Sequence, residues 1–179
     1  MFHIGSLLKN SILTATVCFA ATGAMAQATG QPTDPQIAHI AYTAGQIDIE
    51  AANQALDKSH NKGVKAFAEM MVRDHEAVNK QDLALLDKLK VKPEDNDTSK
   101  SLANAASKKH EELYQLDGTA FDKAYAANEV TYHQTVNGAL EKTLIPSAQN
   151  AELKSLLQTG LKLFKEHEKH AEKLVSELQ

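Results

Sequence analysis

The 179-residue sequence holds a single cysteine, Cys18, and it lies within the first 26 residues. Once those are removed, the chain has neither thiol nor disulfide, so packing alone must hold the fold. Arginine is almost absent too: Arg73 stands alone among lysines, and charges of both signs alternate along the chain. No basic stripe with interleaved aromatics exists, which excludes a nucleic-acid partner. After the N-terminus no run approaches the roughly eighteen apolar residues of a membrane span. No stretch alternates strictly between apolar and polar residues, and no hairpin signal is flanked by such runs, which argues against a sheet.

Residues 1–26 read as a secretory signal. Lys9 supplies the basic start, and Ser11 to Ala21 is an apolar run too short for a bilayer core of about 30 Å. Ala24-Met25-Ala26 is a small-x-small cleavage site. Thr16 and Val17 before Cys18 do not suit a lipoprotein cleavage site. A soluble periplasmic chain from about Gln27 is expected, with residues 27–33 as linker and 34–179 as one domain. Loss of Lys9 takes the formal charge from −4 to −5.

The remaining signals are helical. Asp34-Pro35 opens a helix to about residue 58, with a stripe of Ile37, Ile40, Ala44, Ile47 and Ala51. Asn61 caps a second helix to about Lys90. A shorter one covers about Ser99 to Leu116, Thr119 opens another to about Leu144 before Pro146, and Asn150 caps the last, from Ala151 to about Leu178. Short turns at 59–61 and 145–150 make two antiparallel pairs, and a helix of about 27 Å can cross between them. An all-α, ferritin-like four-helix bundle with an additional short crossover helix is expected.

Three histidines fall in apolar registers of three different helices. His75 follows Val64, Phe67 and Met71; His133 follows Tyr125 and Glu129; His167 follows Leu153, Leu156, Gly160 and Leu163. Imidazoles facing one interior suit a single transition metal ion, zinc, copper or iron, and Glu50 or Glu129 could add a carboxylate. A di-iron carboxylate site is not supported, because no Glu-x-x-His occurs. Neither His-Glu-x-x-His, a phosphate loop nor a nucleophile triad is present, so no catalytic residue is assigned. The competing reading is a buried polar network of these histidines with Asp122 and Tyr125, and a pH-responsive bundle is a third. Glu129 and His133 also have the spacing of an ordinary helix pair. His170 sits among charges on a solvated face, and His39, His60 and His110 show no partner pattern. Counting from the 145–150 turn sets His133 and His167 about 7 Å apart in depth, and Gln46 is more nearly level with His75 than Glu50 is.

The segments Gln46 to Glu50, Val64 to His75, Phe121 to Tyr125 with His133, and Phe164 to His167 resemble the exported bacterial family catalogued as domain of unknown function 4142, over about residues 34–178. The resemblance implies a ferritin-like bundle, association with the outer membrane in some members, and no settled activity. The residues it points to are Glu50, His75, Asp122, Tyr125, His133 and His167. No protein partner or oligomeric state follows from it.

Overall fold

The computed structural model describes residues 30–179; the signal segment 1–26 and residues 27–29 of the 27–33 linker lie outside that range. Five helices account for the described chain: α1 (Asp34–Lys58), α2 (Lys62–Leu89), α3 (Asp97–Tyr114), α4 (Gly118–Ala139) and α5 (Ala151–Glu177). A π-helical turn, Leu140–Leu144, and a last turn, Ile145–Ser147, prolong α4. The fold is all-α, with no strand among the described residues. None of its helices is long and apolar enough to cross a membrane.

Each helix start is built from local chemistry. Pro35 sits in the first turn of α1, and the Gln36 side chain accepts from the Thr33 N–H, so Thr33, one residue earlier than expected, is the cap. Asn61 accepts from the N–H groups of Gly63 and Val64, and Asn150 from those of Glu152 and Leu153. Asn96 and Ser99 form a reciprocal cap on α3, which therefore begins two residues before the expected start. Asp117 rather than Thr119 precedes α4.

α1 packs against α2 and α4, while α5 packs against α2 and α4, so the four long helices enclose a common interior. Contacts across the bundle set their directions. The Asp34 carboxylate accepts from the N–H groups of Gln149 and Asn150, tying the start of α1 to the start of α5. The carbonyls of His110 and Tyr114 accept from Gln54 and Lys58, so α3 runs alongside α1 in the same direction. α3 thus carries the chain from the end of α2 back to the start of α4. It is the least embedded helix, with only Ser99 and Leu113 buried.

The interior has two apolar parts. One gathers Phe67, Met71, Phe121, Tyr125 and Leu174 near the 59–61 turn. The other gathers Ile37, Leu86, Leu140, Leu144 and Leu157 toward the opposite end. The inward face of α5 runs through Leu157 and Phe164 rather than Leu156 and Leu163, and that of α1 through Asp48 and Ala52 rather than Ile47 and Ala51. On α1 this follows from close approach: a β-carbon on Gly45 would lie 2.3 Å from Oδ1 of Asn79 on α2. Turning Gly45 toward α2 brings Asp48 and Ala52, one and two turns on, into the interior.

Candidate metal centre

Four side chains from four helices converge between the two apolar parts: Asp48 of α1, His75 of α2, His133 of α4 and His167 of α5. Asp48, His133 and His167 are each 1% exposed and His75 is 3% exposed. One imidazole nitrogen from each histidine can be chosen so that all three lie within 4.8 Å of one another. The ring centroids form a near-equilateral triangle with sides of 5.3, 5.5 and 5.8 Å.

Asp48 lies against two of the three rings. Its Oδ2 lies 3.3 Å from His75 Nε2 and 3.4 Å from His133 Nε2. Neither contact has hydrogen-bond geometry, and both Asp48 oxygens, both His75 nitrogens and His133 Nε2 have no hydrogen-bond partner. Two donors on a tetrahedral ion at about 2.0–2.1 Å from each lie about 3.3–3.4 Å apart, the separation that Asp48 Oδ2 has from each of these two rings.

Surrounding bonds select which nitrogens face inward. His133 Nδ1 lies 3.0 Å from the Glu129 carbonyl, which must accept, so the proton sits on Nδ1 and the Nε2 lone pair is free. His167 donates from Nε2 to Asp74 Oδ2 at 3.0 Å, leaving the buried Nδ1 unpartnered. A carboxylate or carbonyl behind an imidazole is the usual support of a metal-bound histidine. The His75 ring stacks on Phe164 at 4.6 Å and 10°, which fixes its plane without using either nitrogen.

Burial makes all three imidazoles poor bases. It pushes His133 down to about 4 against the opposing pull of the Glu129 carbonyl. For His75 burial is reinforced by repulsion from His133 and His167. Burial also lowers His167, outweighing the Asp74 hydrogen bond and charge. Neutral imidazole is the metal-binding form. Burial raises Asp48 to about 8, and it raises Glu129 well above the carboxylate range with Asp48 adding to the effect. Asp74 differs: burial acts to raise it, but bonds from Arg73 and His167 and their charges hold it below its ordinary value.

The sequence-derived residues separate accordingly. His75, His133 and His167 meet as expected. Glu50 does not join them; it is exposed and lines a groove beneath α3. Two residues along a helix are about 200° around it, so Asp48 points inward where Glu50 points out. Glu129 is 1% exposed, with Oε2 3.7 Å from His133 Nδ1, and with Asp48 and His133 it forms a second group whose donor atoms lie within 4.8 Å of one another. Asp122 is buried at the end near Ser59, whose hydroxyl donates to it at 2.5 Å. Tyr125 stacks with Phe121, and its hydroxyl has no partner. Burial, then the charges of Glu129 and Asp48, raises that phenol well above 10. Asp48 was missed because a search for apolar periodicity passes over a carboxylate between Ile47 and Ile49; its spacing from Ala44 and Ala52 was the available signal.

Comparison with known proteins bears on fold and kinship. A Streptomyces coelicolor protein of the DUF305 group has a crystal structure similar to this one, with a TM-score of 0.69 and 13% identity, covering 81% of this chain and 93% of that one. At that identity the likeness concerns the fold alone. A comparison with curated proteins gave no match. The model of the family described as "Domain of unknown function (DUF4142)" matches residues 19–174, starting upstream of the expected 34 and overlapping the segment read as a signal. The chain belongs to the DUF4142 family.

Proposed function

We propose that this protein is an exported, periplasmic ferritin-like bundle that binds one divalent transition metal ion, zinc, copper or iron, through His75, His133, His167 and Asp48. The observation that carries this reading is the trio of buried imidazoles from three helices with nitrogens within 4.8 Å of one another, and Asp48 against two of them, with its oxygens, both His75 nitrogens, His133 Nε2 and His167 Nδ1 left without hydrogen bonds. Each such orphan costs about 1–3 kcal/mol unless something compensates it. A divalent cation would accept the lone pairs of the neutral imidazoles and offset the charges of Asp48 and Glu129 together. Glu129 would then act behind His133 as a charge partner rather than as a ligand. Four protein donors give a closed coordination shell, which suits retention of an ion and stabilisation of the fold by it.

Export is supported by the basic, apolar and small-x-small order of residues 1–26. The Streptomyces fold relative is itself provisionally described as secreted.

The test is thermal melting of the exported protein, purified without a polyhistidine tag, in chelator and then in zinc. A ligand at about 1,000 times its dissociation constant adds about 4 kcal/mol, so the midpoint should rise by about 10 °C. The His75→Ala/His133→Ala/His167→Ala variant should show no rise. Identical melting of the natural protein in chelator and in zinc, copper and iron would instead make the cluster a structural polar network in a non-enzymatic envelope protein.

A further inference from the structure

Below the histidines, between α1, α2, α4 and α5, lies a chamber of about 70 Å³. Ile40, Ala44, Leu140, Leu144 and Leu157 line it, and His75 and His133 form part of its wall. Space for one water-sized group needs about 10–15 Å³ by this measure, so the chamber accommodates about five. Its wall is mostly apolar, with Asn79, Thr135 and the two imidazoles among its few polar groups.

One wall residue is an acid. Asp82, seven residues beyond His75 on α2, is 3% exposed, and neither of its oxygens has a hydrogen-bond partner. Seven residues is about 10 Å along the helix, so the carboxyl and the imidazoles mark opposite ends of the space. Burial raises the Asp82 carboxyl to about 7. Nothing in the fold requires a carboxyl there: leucine would fill the position without a polar group to satisfy.

The chamber also has a way in. A groove of about 450 Å³ runs beneath α3, and Leu102, Tyr132 and Thr135 line both spaces. Tyr132 is held in place by donating its hydroxyl to the Ala44 carbonyl at 2.7 Å, and Thr135 is exposed. α3, with two buried residues, is the helix most easily displaced from this opening.

We propose that the chamber binds a small, mostly apolar molecule of about four to six heavy atoms, whose one amine or hydroxyl group donates to Asp82, admitted beneath α3 past Leu102 and Thr135. The apolar body replaces the missing packing, and the head group satisfies the only acid in the chamber wall. The site does not depend on a metal at the histidines, so failure of either reading leaves the other standing.

The test is amide NMR of the full exported protein, with and without zinc, titrated with n-butylamine, n-butanol and xenon. Saturable shifts centred on Ile40, Val78 and Leu157 are expected with all three in both metal states. Asp82→Leu should abolish the butylamine and butanol response and keep that of xenon. Asp82→Asn, which retains an acceptor, should keep butanol and weaken butylamine at least tenfold. Ala44→Leu, which fills the space, should remove all three. Binding of xenon alone, no binding by the natural protein, or amine binding unchanged in both Asp82 variants would overturn the proposal.

Discussion

Two buried aspartates show how differently the two ends of the interior are built. Asp122, near the 59–61 turn, accepts from the Ser59 hydroxyl, in the part of the interior that gathers Phe67, Met71, Phe121 and Tyr125. Asp82, toward the other end, has no partner and faces a chamber. The first end pairs its buried carboxyl and packs large side chains around Met71 and Phe121, although the Tyr125 hydroxyl there is unpartnered. The second leaves both a carboxyl and a space unfilled, and the histidine cluster lies between them. Departures from close packing and polar satisfaction are expected where a site competes with stability.

That contrast can be broken by substitution. Met71→Ala in the filled part should cost about 2–5 kcal/mol, because Met71 is fully buried and its neighbours are already in contact. Leu157→Ala, on the chamber wall, should cost at the low end of that range, since fewer contacts are lost where a space already exists. Denaturant unfolding of both variants checks the order, and equal losses would mean that the two ends are packed alike. Ser59→Ala should cost about 1–3 kcal/mol by leaving Asp122 unpartnered.

A further expected effect is a pH slope. Burial raises the folded Asp82 carboxyl from 3.8 to about 7, so the native state binds more protons than the unfolded state between those values. Stability from this group therefore falls as pH rises from about 4 to 7 and stays at its lower level above. Asp82→Asn should melt above the natural protein at pH 8 and close to it at pH 4. The difference between the two proteins isolates Asp82 from the histidines; a constant difference across pH would contradict the assignment.

Much of the fold was legible because it is written in local chemistry. Asn61 and Asn150 announce their helices through side chains that accept from the next N–H groups. The end of α4 was harder to read. Pro146 signals a break, yet helical backbone continues through the π-helical turn Leu140–Leu144 and on to Ser147. His133 is therefore about 14 residues from the helix end and His167 about 16 from its start, so their depth mismatch shrinks from about 7 Å to about 3 Å. The histidines could be found from sequence because a polar residue in an apolar register is conspicuous. Asp48 could not be found the same way, since its place on the inner face depends on how Gly45 lets α1 approach Asn79. Leu157 and Phe164 moved inward for a related reason: adjacent apolar residues leave the register ambiguous by one position, and packing decides it.

The central claim is that four helices deliver His75, His133, His167 and Asp48 to one ion. Elemental analysis of the exported protein, purified without a polyhistidine tag beside Asp48→Ala and the triple-histidine variant, tests it most directly. The account predicts one zinc, copper or iron per chain in the natural protein, weakened retention in Asp48→Ala, and none in the triple variant. No metal in the natural protein, even after reconstitution, or equal metal in all three, would contradict it.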